Sequence, residues 1–246
     1  MKPIPGLNDE AWGQAHFLKD FTNVYLLPGY EYPKPIPDFH LEMWAMFLSD
    51  YPLVSVAAPR GHAKSTSITF AYALYMLVNR VTDHLLLIGS NERNVSVFLQ
   101  NIKNELIDNK QLADDYGFAR FRKETETELV MEWNNGTQSR ALAKGAGQKM
   151  RGLNWKSKRP NLVLFDDMED EEMAENETTQ RKFLSWFQGT VIPITGDIQR
   201  IRGVGTIIGF GSFLEKTMPN EKSPNTVVEP LRTYSEIHTP GEWFSV

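Results

Sequence analysis

Residues 57–66 read AAPRGHAKST and follow directly on a short, apolar, β-branched run, LVSVA (53–57). The next stretch, KSTSITFAYALYMLVN (64–79), has the length and composition of a buried helix. A buried strand, a short loop and a helix are therefore expected in that order. Lys-Ser-Thr at the head of such a helix is the ending of a phosphate-binding loop, G-x-x-x-x-G-K-[ST]. Here both glycines of that pattern are alanines, Ala58 and Ala63, and Gly61 stands between them. The loop must turn tightly so that its N–H groups face an anion. Glycine permits the left-handed backbone this needs, whereas alanine resists it by about 1 kcal/mol per position. Lys64 offers a point charge to β- and γ-phosphates, and Ser65 a hydroxyl to Mg²⁺. The bland alternative is a helix N-terminus at which Lys64 is merely exposed.

A second segment bears on that choice. NLVLFDD (161–167) is a continuous apolar run ending in two carboxylates, about 100 residues downstream. Asp166 has the chemistry to hold Mg²⁺, which prefers oxygen ligands and keeps part of its water shell. A second carboxylate beside it is placed to orient and deprotonate an attacking water. Together the two segments point to a nucleotide site built from a phosphate loop and an acid strand.

The rest of the chain supplies the frame. HLLLIGS (84–90) and RIRGVGTIIGF (200–210) each contain a further apolar strand, and residues 38–49 read as a helix. A helix is expected over SVFLQNIKNELID, with apolar positions at Val97, Ile102, Leu106 and Ile107. ELVMEWNNGTQSRALA reads as a hairpin turning at Asn135-Gly136. A polar helix from about 170 to 188 closes on the aromatic patch FLSWF. Strands that alternate with helices and lack period-2 alternation imply a mostly parallel sheet covered on both faces.

Composition narrows the class. The chain has 246 residues, 41% of them hydrophobic, enough for one large domain with small additions. No apolar run approaches the roughly 20 residues that span a bilayer. Cysteine is absent, which excludes disulfides and Cys-ligated zinc, and the five histidines show no metal-ligand spacing. The formal charge of −5 argues against a uniformly basic coat, but the charge is unevenly spread. From Trp133 to Phe165 there is no acidic residue, while Arg140, Lys144, Lys149, Arg151, Lys156, Lys158 and Arg159 are basic. Eight carboxylates then fall between Asp166 and Glu177. The basic strip is suited to DNA phosphates or to a neighbouring subunit, or else it pairs with the acidic helix that follows.

Taken in order, these elements resemble the ATPase domain of the large terminase subunit, the DNA-packaging motor of tailed bacteriophages. The resemblance rests on APRGHAKST, LLLIGS, GQKMRGLNWKSKRP leading into NLVLFDDMED, and the strand ending GVGT. It covers about residues 35–215. The fold it implies is an α/β P-loop NTPase of the additional-strand (ASCE) type, with a mostly parallel central sheet flanked by helices. The implied division is a lead-in and adenine-side segment over 1–50, the ATPase core over 51–215, and a C-terminal connector over 216–246. Such proteins normally carry a nuclease domain after the ATPase. Nothing after residue 215 has the length for one, so no DNA cleavage is expected of this chain.

The resemblance also implies roles. Pro59, Arg60, Gly61, His62, Ala63, Lys64, Ser65 and Thr66 bind ATP, with Arg60 on the γ-phosphate and Ser65 and Asp166 on Mg²⁺. The catalytic base is Asp167 by position, with Glu169 the second candidate because its longer side chain reaches back from the next turn. Gly205 and Thr206 match a coupling motif in which a hydroxyl reads the γ-phosphate. Adenine recognition falls to the segment from Pro35 to His40, where His40 reads as a packed or capping residue. Arg151 and Arg159 are candidates for an arginine donated to a neighbour's site, or for contacts with the DNA backbone. The implied partners are double-stranded DNA, further copies of the chain in a ring, the small terminase subunit and the portal. The implied setting is the host cytoplasm, docked on the procapsid. Two rival readings are a helicase-like P-loop ATPase and a nucleotide-binding interaction module that has lost hydrolysis.

Overall fold

The computed structural model describes residues 7–150, 152–169, 173, 176–196, 200–208 and 212–217. Two helices lead in: α1, Asp9–Phe21, capped by the Asn8 side chain on Ala11 N, and α2, Asp38–Leu48. Strand β1, Leu53–Ala57, then runs into the loop and into helix α3. The first part of α3, Ser65–Tyr72, is wound as a π-helix, and Ala73–Val78 continues it as an α-helix. The Trp44 indole N–H donates to the Ser67 carbonyl at 3.0 Å within the wide-wound turns. A side chain that enters the main-chain ladder distorts a helix locally.

After α3 come β2, His84–Gly89; α4, Glu92–Asp108; α5, Lys110–Tyr116; β3, Phe118–Glu124; β4, Glu128–Trp133; and β5, Gln138–Gly145. Strand β6, Leu162–Asp166, helix α6, Glu177–Trp186, continued by helical turns over Phe187–Val191 and Ile192–Ile194, strand β7, Ile201–Gly205, and a short helix α7, Phe213–Thr217, follow. The sheet has seven strands in the order β1-β7-β6-β2-β5-β4-β3. From β1 to β5 every pairing is parallel, and β4 and β3 are added antiparallel. The expectation of a mostly parallel sheet flanked by helices holds. Strand β7 stands between β1 and β6, so the loop strand and the acid strand are not neighbours.

Alternate residues of the buried strands feed two apolar layers. Leu85 and Leu87 face one side with Trp44, Phe47, Ile68, Leu74 and Leu99. Leu86 and Ile88 face the other with Val163, Phe165, Phe183, Phe187 and Phe213. Trp44 and Phe187 are thus core, while Trp186 is half-buried. Helices α1 and α2 belong to the first layer, together with the residues of the lead-in that pack on β1 and α3.

The second layer depends on a small residue in β7. Gly203 on β7 lies under the ring of Phe165 on β6, and a Cβ there would fall inside that ring. Gly203→Ala is therefore expected to lower the unfolding free energy by about 1–3 kcal/mol, the usual cost of overpacking a core. A urea midpoint equal to wild type would show that Phe165 repacks without cost.

Some local expectations change. In α4 the buried positions are Val95, Leu99, Ile102 and Leu106, whereas Val97 is 54% and Ile107 49% exposed. Asn91 caps this helix through Asn94 N, and the 4-3-4 spacing from Val95 sets the inward stripe. The hairpin turns where expected, with Gly136 at φ +79° and its N–H on the Trp133 carbonyl. Strand β7 is shorter than the expected 200–210 segment. Of the polar helix expected over 170–188, the described part starts at Glu177, and residues 170–172 and 174–175 lie outside the described residues. So do residues 218–246, and with them most of the connector.

Candidate active site

Parallel strands place ligands beyond their carboxyl ends, and the candidate residues gather there. The loop 58–64 joins the end of β1 to α3, tied to β7 by Ala58 N donating to Gly205 O at 3.0 Å. Gly61 has φ +85°, and Ala63 takes φ +50° in the position where a phosphate loop usually has glycine. The strain anticipated for that alanine is therefore present. Pro59, Arg60, Gly61 and Ala63 are exposed on the loop, whereas Lys64 is only 6% exposed.

Lys64 Nζ points across the sheet end to Asp167 Oδ2, 3.4 Å away. Asp167 stands at φ +37°, a conformation that side chains other than glycine seldom adopt. It is held there by its own N–H on Val204 O at 3.1 Å and by Thr206 N donating to its Oδ1 at 2.9 Å. Gly205 makes room for this contact: a Cβ there would stand 2.6 Å from Leu214 and 3.4 Å from Asp167 Oδ1. The Thr206 hydroxyl is buried and lacks a hydrogen-bond partner among the described residues. Strained backbone on both sides of one cleft is a feature of functional sites.

Asp166 is 6% exposed. Its Oδ2 accepts from the Thr69 hydroxyl at 2.8 Å, while Oδ1 is buried without a hydrogen-bond partner among the described residues. Burial pushes its pKa up to about 6; Asp167 adds to the rise, and the Ser65 and Thr69 hydroxyls and the Lys64 ammonium oppose it. An orphaned, buried carboxylate oxygen beside a hydroxyl suits a hard cation that takes few protein ligands and keeps its own water. Ser65 and Asp166 therefore fit Mg²⁺. Among the described residues there is no cluster of three or more His, Cys, Asp or Glu side chains that would hold a metal by protein ligands alone.

The remaining candidates separate. Glu169 Oε2 accepts from Phe213 N at 2.5 Å, so this carboxylate engages the start of α7 while Asp167 faces Lys64. Arg159 lies just before β6, at the end of that strand opposite Asp166, where its guanidinium donates to Pro193 O at 2.9 Å. Arg151 lies outside the described residues. Within the basic strip, Arg140 pairs with Glu128, Lys144 with Glu92, and Lys158 with Asp83. Those three carboxylates all precede the strip in sequence.

A cavity of about 360 Å³ adjoins the loop. Its walls include Tyr30, Pro35, Phe39, His40, Trp44 and Thr66, so the Pro35–His40 segment borders the 58–64 loop. His40 is buried and hydrogen-bonded to Ser67 Oγ and His62 O, in keeping with a packed residue. Sequence reasoning passed over Thr69 and Tyr30. Thr69 had a usable signal, since it lies four residues after Ser65 and shares its helix face.

No family model matches this sequence, and no curated protein sequence matches it. Among solved structures, the crystal structure of the HK97 bacteriophage large terminase aligns with 78% of this chain at 13% identity and a TM-score of 0.48. The alignment spans 37% of that protein. No helix among the described residues is long and apolar enough to cross a membrane.

Proposed function

We propose that this chain is a Mg²⁺-dependent ATPase of the additional-strand P-loop type, acting as the ATPase part of a large-terminase-like DNA-packaging motor. One observation carries the enzymatic part. A buried lysine at the foot of α3 and a paired aspartate at the end of β6 meet within 3.4 Å, across a strand whose own end supplies Thr206. The strand order brings Lys64, Asp166, Asp167 and Thr206 to one rim, which supports reading them as phosphate binder, acid pair and γ-phosphate reader.

The chemistry follows from these groups. The loop N–H groups and Lys64 hold the triphosphate, and Lys64 neutralises charge that builds on the β–γ bridging oxygen as that bond breaks. Ser65 and Asp166 would hold Mg²⁺, which would supply charge neutralisation on the phosphate oxygens. Lys64 turning to phosphate frees Asp167 from its ion pair, and Asp167 then takes the proton of the water that attacks the γ-phosphorus. Products are ADP and inorganic phosphate. Thr206 is bound to Asp167 through its N–H, so loss of the γ-phosphate is felt at the end of β7. Glu169, already engaged with α7, connects the acid strand to the element that follows it.

The packaging role rests on the ordered sequence elements that resemble the terminase ATPase. It extends to double-stranded DNA as the translocated substrate, to copies of the chain in a ring, to the small terminase subunit and portal as partners, and to the host cytoplasm as the setting. Exposed members of the basic strip, such as Lys156 and Arg159, are the DNA-contact candidates, because Arg140, Lys144 and Lys158 already have carboxylate partners.

MgATP turnover measured against protein concentration tests the reading, with Lys64→Ala beside wild type. Turnover per chain that rises with concentration and falls at least a hundredfold in the variant is expected for a working loop completed by a neighbour's arginine. Turnover that is flat but equally lost in the variant assigns the arginine role to Arg60. Equal activity in both proteins would refute the site. Unwinding of duplex DNA with a free end would favour the helicase-like alternative.

A further inference from the structure

Phosphate loops use glycine before the lysine because the chain there is left-handed, yet this chain holds Ala63 at φ +50°. Something outside the loop must stabilise that conformation. The neighbouring carbonyl shows what it is. His62 O receives a hydrogen bond from His40 Nε2 at 2.9 Å. A carbonyl only accepts, so Nε2 carries the proton, and Nδ1 is then free to accept from Ser67 Oγ at 3.0 Å. Burial holds the His40 pKa down, which keeps this neutral form in place. The ring also meets Phe39 edge-on, with centroids 4.3 Å apart.

The 62–63 peptide is planar and trans, so its C=O and N–H point in opposite directions. Anchoring the carbonyl on His40 therefore aims the Ala63 N–H away from His40, towards the other face of the loop. We propose that His40 is a positioning residue for phosphate binding: by fixing the 62–63 peptide plane it presents the Ala63 N–H to the anion and stabilises the left-handed alanine. This deepens the nucleotide reading above and rests on it. A side-chain hydrogen bond here does the work that glycine's conformational freedom does in other loops. His40 also lines the 360 Å³ cavity, so a base bound there and the phosphates share one residue. A ligand filling the cavity presses on the ring that orients the loop.

The test is binding of inorganic tripolyphosphate without Mg²⁺, followed by calorimetry, with a thermal melt of each variant as the folding control. His40→Phe keeps a ring but removes the donor, and His40→Gln restores an N–H able to reach a carbonyl. The expected result is an affinity about tenfold weaker in His40→Phe, the size of one hydrogen bond, and within threefold of wild type in His40→Gln. In an Ala63→Gly background the same His40→Phe change is expected to cost no more than about threefold, because glycine adopts the left-handed conformation unaided. An equal loss in both backgrounds, or a His40→Phe variant that binds like wild type, would overturn the proposal. A wild-type chain that binds no tripolyphosphate at all would overturn the phosphate site itself, and that outcome is distinct from both.

Discussion

Arg202→Met is expected to lower the unfolding free energy by about 3 kcal/mol, although among the described residues no carboxylate hydrogen-bonds this side chain. Arg202 sits in β7 at 1% exposure, among the largest fully buried side chains. Its guanidinium donates to four main-chain carbonyls: Phe47 at 2.6 Å, Ser49 at 2.8 Å, Ile201 at 2.9 Å and Pro52 at 3.3 Å. Phe47 and Ser49 end helix α2, where unpaired carbonyls collect and the helix dipole is negative. Burial draws the Arg202 pKa down to about 10, so the group remains cationic at neutral pH. The helix end and the carbonyl cage therefore take the place of a counter-ion.

Removing the guanidinium leaves buried carbonyls without donors, at about 1–3 kcal/mol for each one stranded. Two are partly protected, since Phe47 O also accepts from Tyr72 and Pro52 O from Ile201 N. Desolvating the cation is itself costly, which offsets part of the loss. Lysine cannot reproduce a planar fork of five donors, so Arg202→Lys is expected to recover less than half of the stability. Urea unfolding of the three proteins decides the matter. A change below about 1 kcal/mol in Arg202→Met would mean that the cost of burying the charge cancels its hydrogen bonds.

Arg202 also shows where sequence reading reaches its limit. RIRGVG reads as a strand from its β-branched residues, but nothing in the string distinguishes Arg202, fully buried, from its neighbour Arg200. The difference lies in the end of α2, some 150 residues away in sequence, and appears only when β7 pairs with β1. Strands β1, β2 and β6 were legible because both their faces are covered, leaving unbroken apolar runs. Strand β3 and helix α5 were not. FARFRKE is half charge, and β3 is held at the sheet edge by Phe118 and Phe121 with Arg120 and Arg122 on Glu132. Lys64, Asp166 and Asp167 were legible as a set because their chemistry is tied to strand ends. The bond from His40 to the His62 carbonyl and the pinning of Arg159 on Pro193 join segments distant in sequence, and composition carries no trace of those.

The acid strand offers the sharper test of function against stability. Asp166→Asn is expected to raise the stability of the Mg²⁺-free protein above pH 6 by about 3 kcal/mol, while lowering MgATP turnover at least a hundredfold. Burial raises the folded-state pKa of Asp166 from 3.8 to about 6, so the native protein binds this proton more tightly than the unfolded chain does. Stability from this group is thus fully present at low pH and is lost as pH rises from about 4 through 6. Above that range the ionised, half-orphaned carboxylate is a standing cost. Asparagine carries no charge to desolvate, and its oxygen still accepts from Thr69. The two proteins should therefore converge in stability near pH 4 and diverge by pH 7, with other titrations cancelling in the difference. Adding Mg²⁺ should stabilise wild type alone, because a cation on Oδ1 supplies the charge that the fold withholds. Melts at pH 4 and pH 7, each with and without Mg²⁺, read all of this directly. A pH-independent gap would mean that Asp166 stays ionised at no cost, and the carboxylate would then lose its assignment as the strained metal-binding acid.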